Sequence, residues 1–347
     1  MAGPDSFYTP QPLADKLVSF VTETNIKTAI DFCVGDGDLL KAVQNRYKDV
    51  KFYGTDISYE AIMKIANEHS DWTLDVCDFR VDESVDNVPF LKDSYFDLII
   101  FNPPFTCKGS IVEKVILDGN EYKVSTAMMF VIRAIKYLSP IGGLYAILPI
   151  SCVYSQKDRV AWNFLQANYN ACILEEPKRV YFSDKCSPNI VLVYIGKHFK
   201  KGIVKEKNTA FHELTIDSIL RGSIRMQNPV YSNSTKALRL IHTTNIQGGR
   251  LVKLKRVLVE NKSVIDGFGV VIPRVCNPNP NKIALLDGKH AYVLSDCVIV
   301  LRTPTMGAAE QLRNHILNNW SLFVDIYKGT GAQYTTLERV KALFGIK

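Results

Sequence analysis

An asparagine followed by two prolines and an aromatic residue is the strongest chemical signal in this chain. Residues 96–101 predict a buried strand, and Asn102-Pro103-Pro104-Phe105 follows directly. Two prolines make a stiff corner that leaves its carbonyl groups free. The Asn102 amide oxygen and the Pro103 carbonyl then suit the two hydrogens of an amino group on a planar heterocycle, on which Phe105 can stack. These four residues are candidate catalytic residues, although the same run is also an ordinary loop opening.

A glycine-broken turn between a predicted strand and a predicted helix is the second signal. Gly35 and Gly37 remove Cβ atoms at the carboxyl end of a strand, where open α/β sheets bind ligands. Acidic residues at 31, 36 and 38 would repel a pyrophosphate but attract a ligand that carries an amino group and a sulfonium. Asp31, Gly35 and Gly37 are therefore candidate ligand-binding residues. A simple strand-to-helix turn fits the pattern equally well.

Acidic residues end the next two predicted strands. Asp56 lies about 20 residues past the glycine turn, where an acid can accept both hydroxyls of a ribose. Asp78 ends the third strand and can accept a hydrogen bond from an adenine amino group. We assign Asp56, the adjacent Ile57 and Asp78 to the same ligand site. Because Ser58 predicts a helix start, Asp56 could instead be a capping residue, and Asp78 a solvated loop acid.

These residues require an α/β scaffold. Short β-branched or aromatic runs alternate with amphipathic stretches of helical length, which predicts a mostly parallel sheet of seven strands. The predicted strands cover residues 28–33, 51–55, 72–76, 96–101, 143–149, 171–174 and 189–195. The predicted helices cover residues 11–24, 38–47, 58–69, 125–138 and 158–167. Residues 106–124 fit neither period, so we predict a mobile active-site loop there.

Length and charge indicate two domains. The 347 residues are 47% hydrophobic, and a polar stretch at 196–208 suits a boundary. We predict domains at 1–200 and 201–347, the second a loop-rich α+β module with its last helices at 306–319 and 337–344. Residues 201–347 carry 21 Lys+Arg against 10 Asp+Glu, whereas the whole chain carries 42 against 35. This asymmetry favours a polyanionic partner for the second domain.

Composition argues against metal and membrane proteins. The eight cysteines lack the spacing that zinc needs, so we expect no metal and mostly packing thiols, and we interpret Cys107 as an ordinary loop thiol. No stretch approaches the roughly 20 apolar residues of a membrane helix. Residues 1–11 lack the layout of a signal peptide. We expect a cytoplasmic protein with no membrane partner.

The order of these motifs resembles the N6-adenine DNA methyltransferases of restriction-modification systems, in the class with an N-terminal cofactor motif and a C-terminal target-recognition domain. The resemblance spans residues 6–196. The matching segments are Tyr8-Thr9-Pro10 for the opening motif that lines the cofactor pocket, Asp31 to Gly37 for motif I, Asp56 for motif II, Asp78 for motif III, and Asn102 to Phe105 for catalytic motif IV.

Phe182 lies in residues 181–186, which look like the motif whose aromatic side chain packs against a flipped base, although a core aromatic residue fits there too. Two positions depart from the family pattern. Phe32 replaces the usual proline after the motif I acid, and Phe105 stands where tyrosine is common. Residues 327–335 look similar to segments of specificity domains that read DNA sequence.

The resemblance implies a Rossmann-like methyltransferase sheet, S-adenosylmethionine as cofactor, and double-stranded DNA and a cognate restriction endonuclease as partners, in a bacterial or phage-type cytoplasm. Asn102 and Pro103 would accept both N–H bonds of a flipped-out adenine and so prepare N6 for in-line methyl transfer. The same motif occurs in methyltransferases that modify a glutamine amide or a guanine amino group. RNA or protein-glutamine methylation and a non-catalytic DNA-binding subunit therefore stay open as alternatives.

Overall fold

The chain divides into two compact units, Met1–Lys205 and Glu206–Lys347. The computed structural model describes residues 9–104, 112–182, 187–196, 214–227, 229–259, 264–330 and 332–346. The predicted site residues Tyr8 and Phe105, together with Cys107, lie outside these ranges, as does most of the predicted domain boundary. Within the described ranges, no helix combines the length and the apolar character needed to cross a bilayer.

The first unit alternates strands and helices along most of its length. Its helices are α1 (Gln11–Ser19), α2 (Asp38–Arg46), α3 (Tyr59–Glu68), α4 (Asp82–Asp86), α5 (Thr126–Ile135), α6 (Ser151–Tyr154) and α7 (Arg159–Tyr169). Its strands are β1 (Thr28–Asp31), β2 (Lys51–Asp56), β3 (Thr73–Val76), β4 (Phe96–Phe101), β5 (Glu113–Leu117), β6 (Asn120–Val124), β7 (Leu138–Pro149), β8 (Cys172–Arg179) and β9 (Asn189–Gly196). Each strand and helix predicted before residue 197 is present; β4 has the predicted bounds, and the other elements begin or end at different residues.

The central sheet has seven strands in the order β3-β2-β1-β4-β7-β9-β8. The strands from β3 to β7 pair in parallel, and β9 runs antiparallel to both β7 and β8. The prediction of a seven-stranded, mostly parallel α/β sheet is confirmed. Because the chain runs outward from β1 to β3 and returns on the other side of β1, the carboxyl ends of β1 and β4 flank a switch point, where such sheets bind ligands.

Core packing on both faces of the sheet fixes β4. Leu98 and Ile100 pack on the face covered by α1, α2 and α3. Ile99 and Phe101 alternate with them and pack on the face covered by α5 and α7. The position of Asn102, which follows directly, is therefore set by the packing of the whole unit.

Residues 113–124 do not form the predicted mobile loop. They form a hairpin of β5 and β6, with Asp118 and Gly119 at the turn. The φ angles of these two residues are 49° and 78°, the positive values that a two-residue hairpin turn requires. Leu117 and Tyr122 are buried in the same cluster as α5, so the hairpin is part of the core. The prediction was wrong here, and residues 106–111 lie outside the described part of the chain.

The end of α1 also differs from the prediction, which extended this helix to residue 24. The helix ends at Ser19, and the chain then brings Glu23 to the sheet. The Tyr145 hydroxyl donates a hydrogen bond to Glu23 Oε2 at 2.7 Å. A tertiary contact thus takes precedence over the local helical pattern.

The second unit is an α+β module. Its strands are β10 (Ser218–Arg221), β11 (Leu238–Ile241), β12 (Ile246–Gln247), β13 (Arg250–Leu251), β14 (Arg256–Val257), β15 (Phe268–Pro273), β16 (Ala284–Asp287), β17 (Tyr292–Leu294) and β18 (Val298–Thr303). Its helices are α8 (Met306–Asn318), α9 (Trp320–Val324) and α10 (Leu337–Leu343). The sheets have the orders β10-β18-β15-β16, β14-β11-β17 and β12-β13. Both predicted helices near the end of the chain are present as α8 and α10.

Phe32, the residue that departs from the motif I pattern, is a core aromatic residue. It is 1% exposed. Its ring stacks on Phe79 with centroids 4.2 Å apart and meets the edge of Phe101 at 6.5 Å. The ring therefore joins the chain segments that follow β1 and β3 to the end of β4.

Substitution of Phe32 by alanine should lower the free energy of unfolding by about 3–5 kcal/mol, because the cavity lies where three segments meet. Urea titration measures this change. Tyr95→Ala is the control, since Tyr95 is 64% exposed, and its effect should stay within about 0.5 kcal/mol. Equal effects of the two substitutions would contradict a core role for Phe32.

Candidate active site

The glycine turn lies at the carboxyl end of β1, beside the end of β4. Gly35 and Gly37 have φ angles of 53° and 79°, in the left-handed region where L side chains are strained. A Cβ atom on Gly37 would also approach the Trp72 ring at 3.2 Å. The backbone geometry thus requires both glycines, and the turn presents no side chain at either position.

Asp56, at the end of β2, holds this turn. Its Oδ2 accepts a hydrogen bond from Gly35 N at 2.9 Å, and its Oδ1 accepts one from Ser58 N at 2.9 Å. The N-cap residue of α3 is Ser58, whose Oγ accepts a hydrogen bond from Ala61 N at 3.2 Å. Capping therefore does not account for Asp56. Each of its carboxylate oxygens keeps a lone pair for a further donor, such as a ribose hydroxyl.

Asp31 is a buried carboxyl group beside the turn. It is 2% exposed, and its Oδ1 accepts a hydrogen bond from Cys33 N at 2.9 Å. Burial, and to a lesser extent the charge of Asp56, raises the pKa of Asp31 to about 8. Asp36 is different, because it forms an ion pair with Lys64 at 2.7 Å. Asp31 is thus an acid that a cationic ligand would stabilise in its charged form.

Asn102 is held by two other parts of the unit. Its Nδ2 donates to Thr9 Oγ1 at 3.2 Å, and the Cys33 thiol donates to its backbone carbonyl at 3.2 Å. Its Oδ1 is buried and has no hydrogen-bond partner among the residues that the structure describes. A buried acceptor without a donor costs about 1–3 kcal/mol, so this oxygen suits a ligand that brings an N–H group. The adjacent Pro103 is also buried, and no donor in the described part of the chain reaches its carbonyl.

Asp78 follows β3 and is held by an arginine. Arg80 donates from Nε to Oδ1 at 2.8 Å and from Nη2 to Oδ2 at 2.8 Å. These hydrogen bonds are the main reason why the pKa of Asp78 is lowered. Any ligand amino group at this position would share the carboxylate with Arg80. Ile57, next to Asp56, is 60% exposed.

Comparison with known families agrees with this geometry. The family model for N-6 DNA methylases matches residues 2–220, well over half of the chain. The chain belongs to the N-6 DNA methylase family. The resemblance seen in the motif order is confirmed, and the match includes the glycine turn, Asp56 and the Asn102 corner.

The relatives of this N-6 DNA methylase family member are distant and longer. An uncharacterized protein of Mycoplasma pneumoniae, the MG259 homolog, is 33% identical over 123 residues, which are 31% of this chain and 26% of that protein. The type I restriction-modification methyltransferase subunit from Streptococcus thermophilus is 19% identical over 57% of this chain and 46% of its own, with a TM-score of 0.44. The EcoKI M protein is 13% identical over 55% and 44%, with a TM-score of 0.42. The chain spans about a quarter of the curated relative and less than half of either subunit.

Two further predicted site residues in the described part of the chain are Pro10 and Phe182. Pro10 precedes α1, and its carbonyl accepts a hydrogen bond from Leu13 N at 2.8 Å. Phe182 is partly buried and packs against the side chains of both core clusters. This packing agrees with the alternative of a core aromatic residue, so base stacking by Phe182 stays a prediction.

Cys33 is the site residue that the sequence did not indicate. Its position in the turn predicted a packing thiol, yet the thiol bonds to the Asn102 carbonyl. Burial and the charge of Asp31 raise the pKa of Cys33, so the thiol keeps its proton and can donate. The pairing of β1 with β4 creates this contact, and no spacing along the chain reveals it.

The buried Asp31 carboxyl group should make the stability of this N-6 DNA methylase depend on pH. The folded pKa of about 8 lies above the ordinary value of 3.8. The folded state therefore binds a proton that the unfolded state lacks between these values, and the free energy of unfolding falls as pH rises through this window. We expect Asp31→Asn to remove this pH dependence of the free energy of unfolding. The fold should be kept, since asparagine keeps an oxygen that accepts from Cys33 N.

Urea unfolding of both proteins between about pH 5 and about pH 8 measures the effect. The stability of the natural protein should fall relative to that of Asp31→Asn across this range. A constant difference would show that Asp31 has no raised pKa in the folded protein.

Proposed function

We propose that this chain transfers a methyl group from S-adenosylmethionine to the exocyclic N6 of adenine in double-stranded DNA. The observation that carries the proposal is the buried Oδ1 of Asn102 at the switch point of the sheet, to which no described residue donates a hydrogen bond. Beside it lies a glycine turn with a buried acid, which suits a cationic cofactor. Membership in the N-6 DNA methylase family supports the same reaction.

Asn102 and Pro103 would act on the amino group. The lone pair of N6 is delocalised into the adenine ring, so the nitrogen is a poor nucleophile. Asn102 Oδ1 would accept one N–H, and the Pro103 carbonyl would accept the other. These two hydrogen bonds would localise the lone pair on N6 and orient it. The acceleration then comes from positioning and from fixed dipoles. Phe105 and Phe182 are proposed to recover part of the stacking that the flipped base loses.

The residues around the turn would hold the cofactor. When bound, S-adenosylmethionine supplies a methyl group activated on a sulfonium. The buried Asp31 would stabilise the positive charge of the ligand, and Asp56, which accepts from Gly35 N in the turn, would accept ribose hydroxyls. Asp78 and Ile57 are proposed to contact the adenine of the cofactor, and the Thr9-Pro10 segment to close the pocket on the side of α1.

Two arginines in the second unit favour DNA over a protein substrate. Arg239 of β11 lies directly opposite Arg256 of β14 in antiparallel register, so both side chains project from the same face. Like charges so placed destabilise a sheet, and neither arginine forms an ion pair among the described residues. An anion between them removes the repulsion. A DNA phosphate is such an anion.

We therefore assign residues 201–347 to DNA target recognition, within a restriction-modification system of a bacterial or phage-type cytoplasm. A cognate restriction endonuclease is the proposed partner. Methylation of RNA or of a glutamine amide is the second candidate, because the Asn102 corner fits any planar amino group. A basic unit of this size has no use in a protein-glutamine methyltransferase.

Asn102→Ala should lower methyl transfer about 100-fold or more, because the acceptor aligned with the reacting nitrogen is removed. Cofactor affinity should change less than about twofold. Asp56→Ala is the contrasting variant, and its cofactor dissociation constant should rise about tenfold to 100-fold, because a charged acceptor is removed.

The measurements are transfer of labelled methyl from S-adenosylmethionine to unmethylated plasmid DNA, calorimetry for the cofactor, and sequencing that maps N6-methyladenine. Full activity of Asn102→Ala would refute the proposed role of this residue. Label in RNA or protein, with none in DNA, would favour the second candidate.

DNA affinity should fall steeply with salt, and the paired arginines should account for part of the slope. The double variant Arg239→Gln, Arg256→Gln should reduce the slope of log K against log salt by about 0.9 for each phosphate that the variant no longer neutralises. Arg302→Gln is a matched control in the same unit, because Arg302 already pairs with Asp266 at 3.1 Å. A double variant with the natural slope would exclude these arginines from the DNA surface.

A further inference from the structure

We infer that Thr9 is a positioning residue that orients the Asn102 amide for the reaction, an inference that rests on the proposed function. Thr9 is 8% exposed, and its Oγ1 accepts the hydrogen bond from Asn102 Nδ2 at 3.2 Å. The other end of the amide, Oδ1, is buried and has no partner in the described part of the chain. The contact occupies the donor end of the amide and leaves the acceptor end for the substrate.

The orientation of this amide decides whether Asn102 can accept an N–H group of the adenine. An asparagine amide can turn by half a rotation, which exchanges its NH2 group and its oxygen at little steric cost. In the reversed orientation, the N–H groups of Asn102 would face the N–H groups of the adenine. Donors would then oppose donors, and the lone pair of N6 would not be localised. In the structure the Thr9 hydroxyl accepts from Nδ2, and this contact holds the amide in the orientation in which Oδ1 is open.

The backbone of Asn102 is already fixed without Thr9. The strand that precedes it is buried on both faces, and the Cys33 thiol bonds to its carbonyl. The freedom that remains is in the side-chain torsions. Among the described residues, Thr9 is the one that forms a hydrogen bond with the Asn102 side chain, so its hydroxyl restricts these torsions.

Attachment of the N-terminal segment does not require this hydrogen bond. Three side chains of α1, which are Leu13, Leu17 and Val18, are buried in the core cluster that lies on the same face as α2. The Pro10 carbonyl also bonds to Leu13 N. Since the helix that follows Thr9 is anchored by its own packing, the Thr9 hydroxyl is available for a role at Asn102.

Thr9→Val removes the hydroxyl and keeps the shape of the side chain. We expect kcat for methyl transfer to unmethylated plasmid DNA to fall about fivefold to tenfold, which corresponds to one hydrogen bond of about 1 kcal/mol. The dissociation constant for S-adenosylmethionine, measured by calorimetry, should change less than about twofold. Thr9→Ser, which restores the acceptor, should return kcat to within about twofold of the natural value.

Thr55→Val is the matched control. Thr55 is fully buried and lies in the same unit, and its hydroxyl donates to the Phe32 carbonyl at 3.2 Å, not to Asn102. It should lower the melting temperature at least as much as Thr9→Val while leaving kcat unchanged. A purely structural role of Thr9 predicts equal kcat in the two valine variants.

Three outcomes would overturn the inference. The first is an unchanged kcat in Thr9→Val. The second is a decrease in cofactor affinity that accounts for the whole defect, which would make Thr9 a pocket residue alone. The third is a defect that serine does not repair. If the natural protein transfers no methyl group to DNA, the proposed function fails, and this inference fails with it. If the natural protein is active and Thr9→Val matches it, the inference alone fails.

Discussion

A buried amide oxygen, with no hydrogen-bond donor among the described residues, is the constraint on which the candidate active site depends. Such an atom is unfavourable in a folded protein, so the surrounding structure has to hold it in place. The sheet does this by burying β4 on both faces. Contacts from Thr9 and Cys33 then fix Asn102 at its side chain and its backbone. In the proposed reaction a substrate amino group would satisfy the oxygen, and the cost of burying it would become selectivity for that group.

Among the charged groups around the glycine turn, too, one buried group is unfavourable until a ligand binds. Asp31 is buried, and its carboxylate form is unfavourable in the absence of a cation. The other acids of the region are satisfied in different ways: Asp56 by backbone N–H groups, Asp36 by Lys64 and Asp78 by Arg80. A positive ligand would therefore gain most beside Asp31. A buried acceptor without a donor among the described residues and a buried acid lie at neighbouring strand ends, where the proposed transfer reaction would use both in one crevice.

Local sequence predicted much of the fold because its periods match the burial of each element. The strand before Asn102 is apolar except for Asp97, and in the structure it is buried on both faces. The hairpin at residues 113–124 was missed although its signal is present. Asp118-Gly119 is a two-residue hairpin turn, and it is flanked by alternating residues that are buried in the core. The end of α1 was missed for another reason, because Glu23 is drawn to Tyr145 by a contact between residues far apart in the chain.

By itself the sequence determined which chemical groups the site contains: an amide beside prolines, glycines where φ has to be positive, and acids at strand ends. These follow from local rules that act within a few residues. Only the tertiary structure decided which of these groups meet. Strand order places β1 beside β4, which brings Cys33 to Asn102, and the packing of α1 brings Thr9 to the same amide. Neither contact leaves a trace in spacing, because each joins segments separated by many residues and depends on how the sheet is assembled.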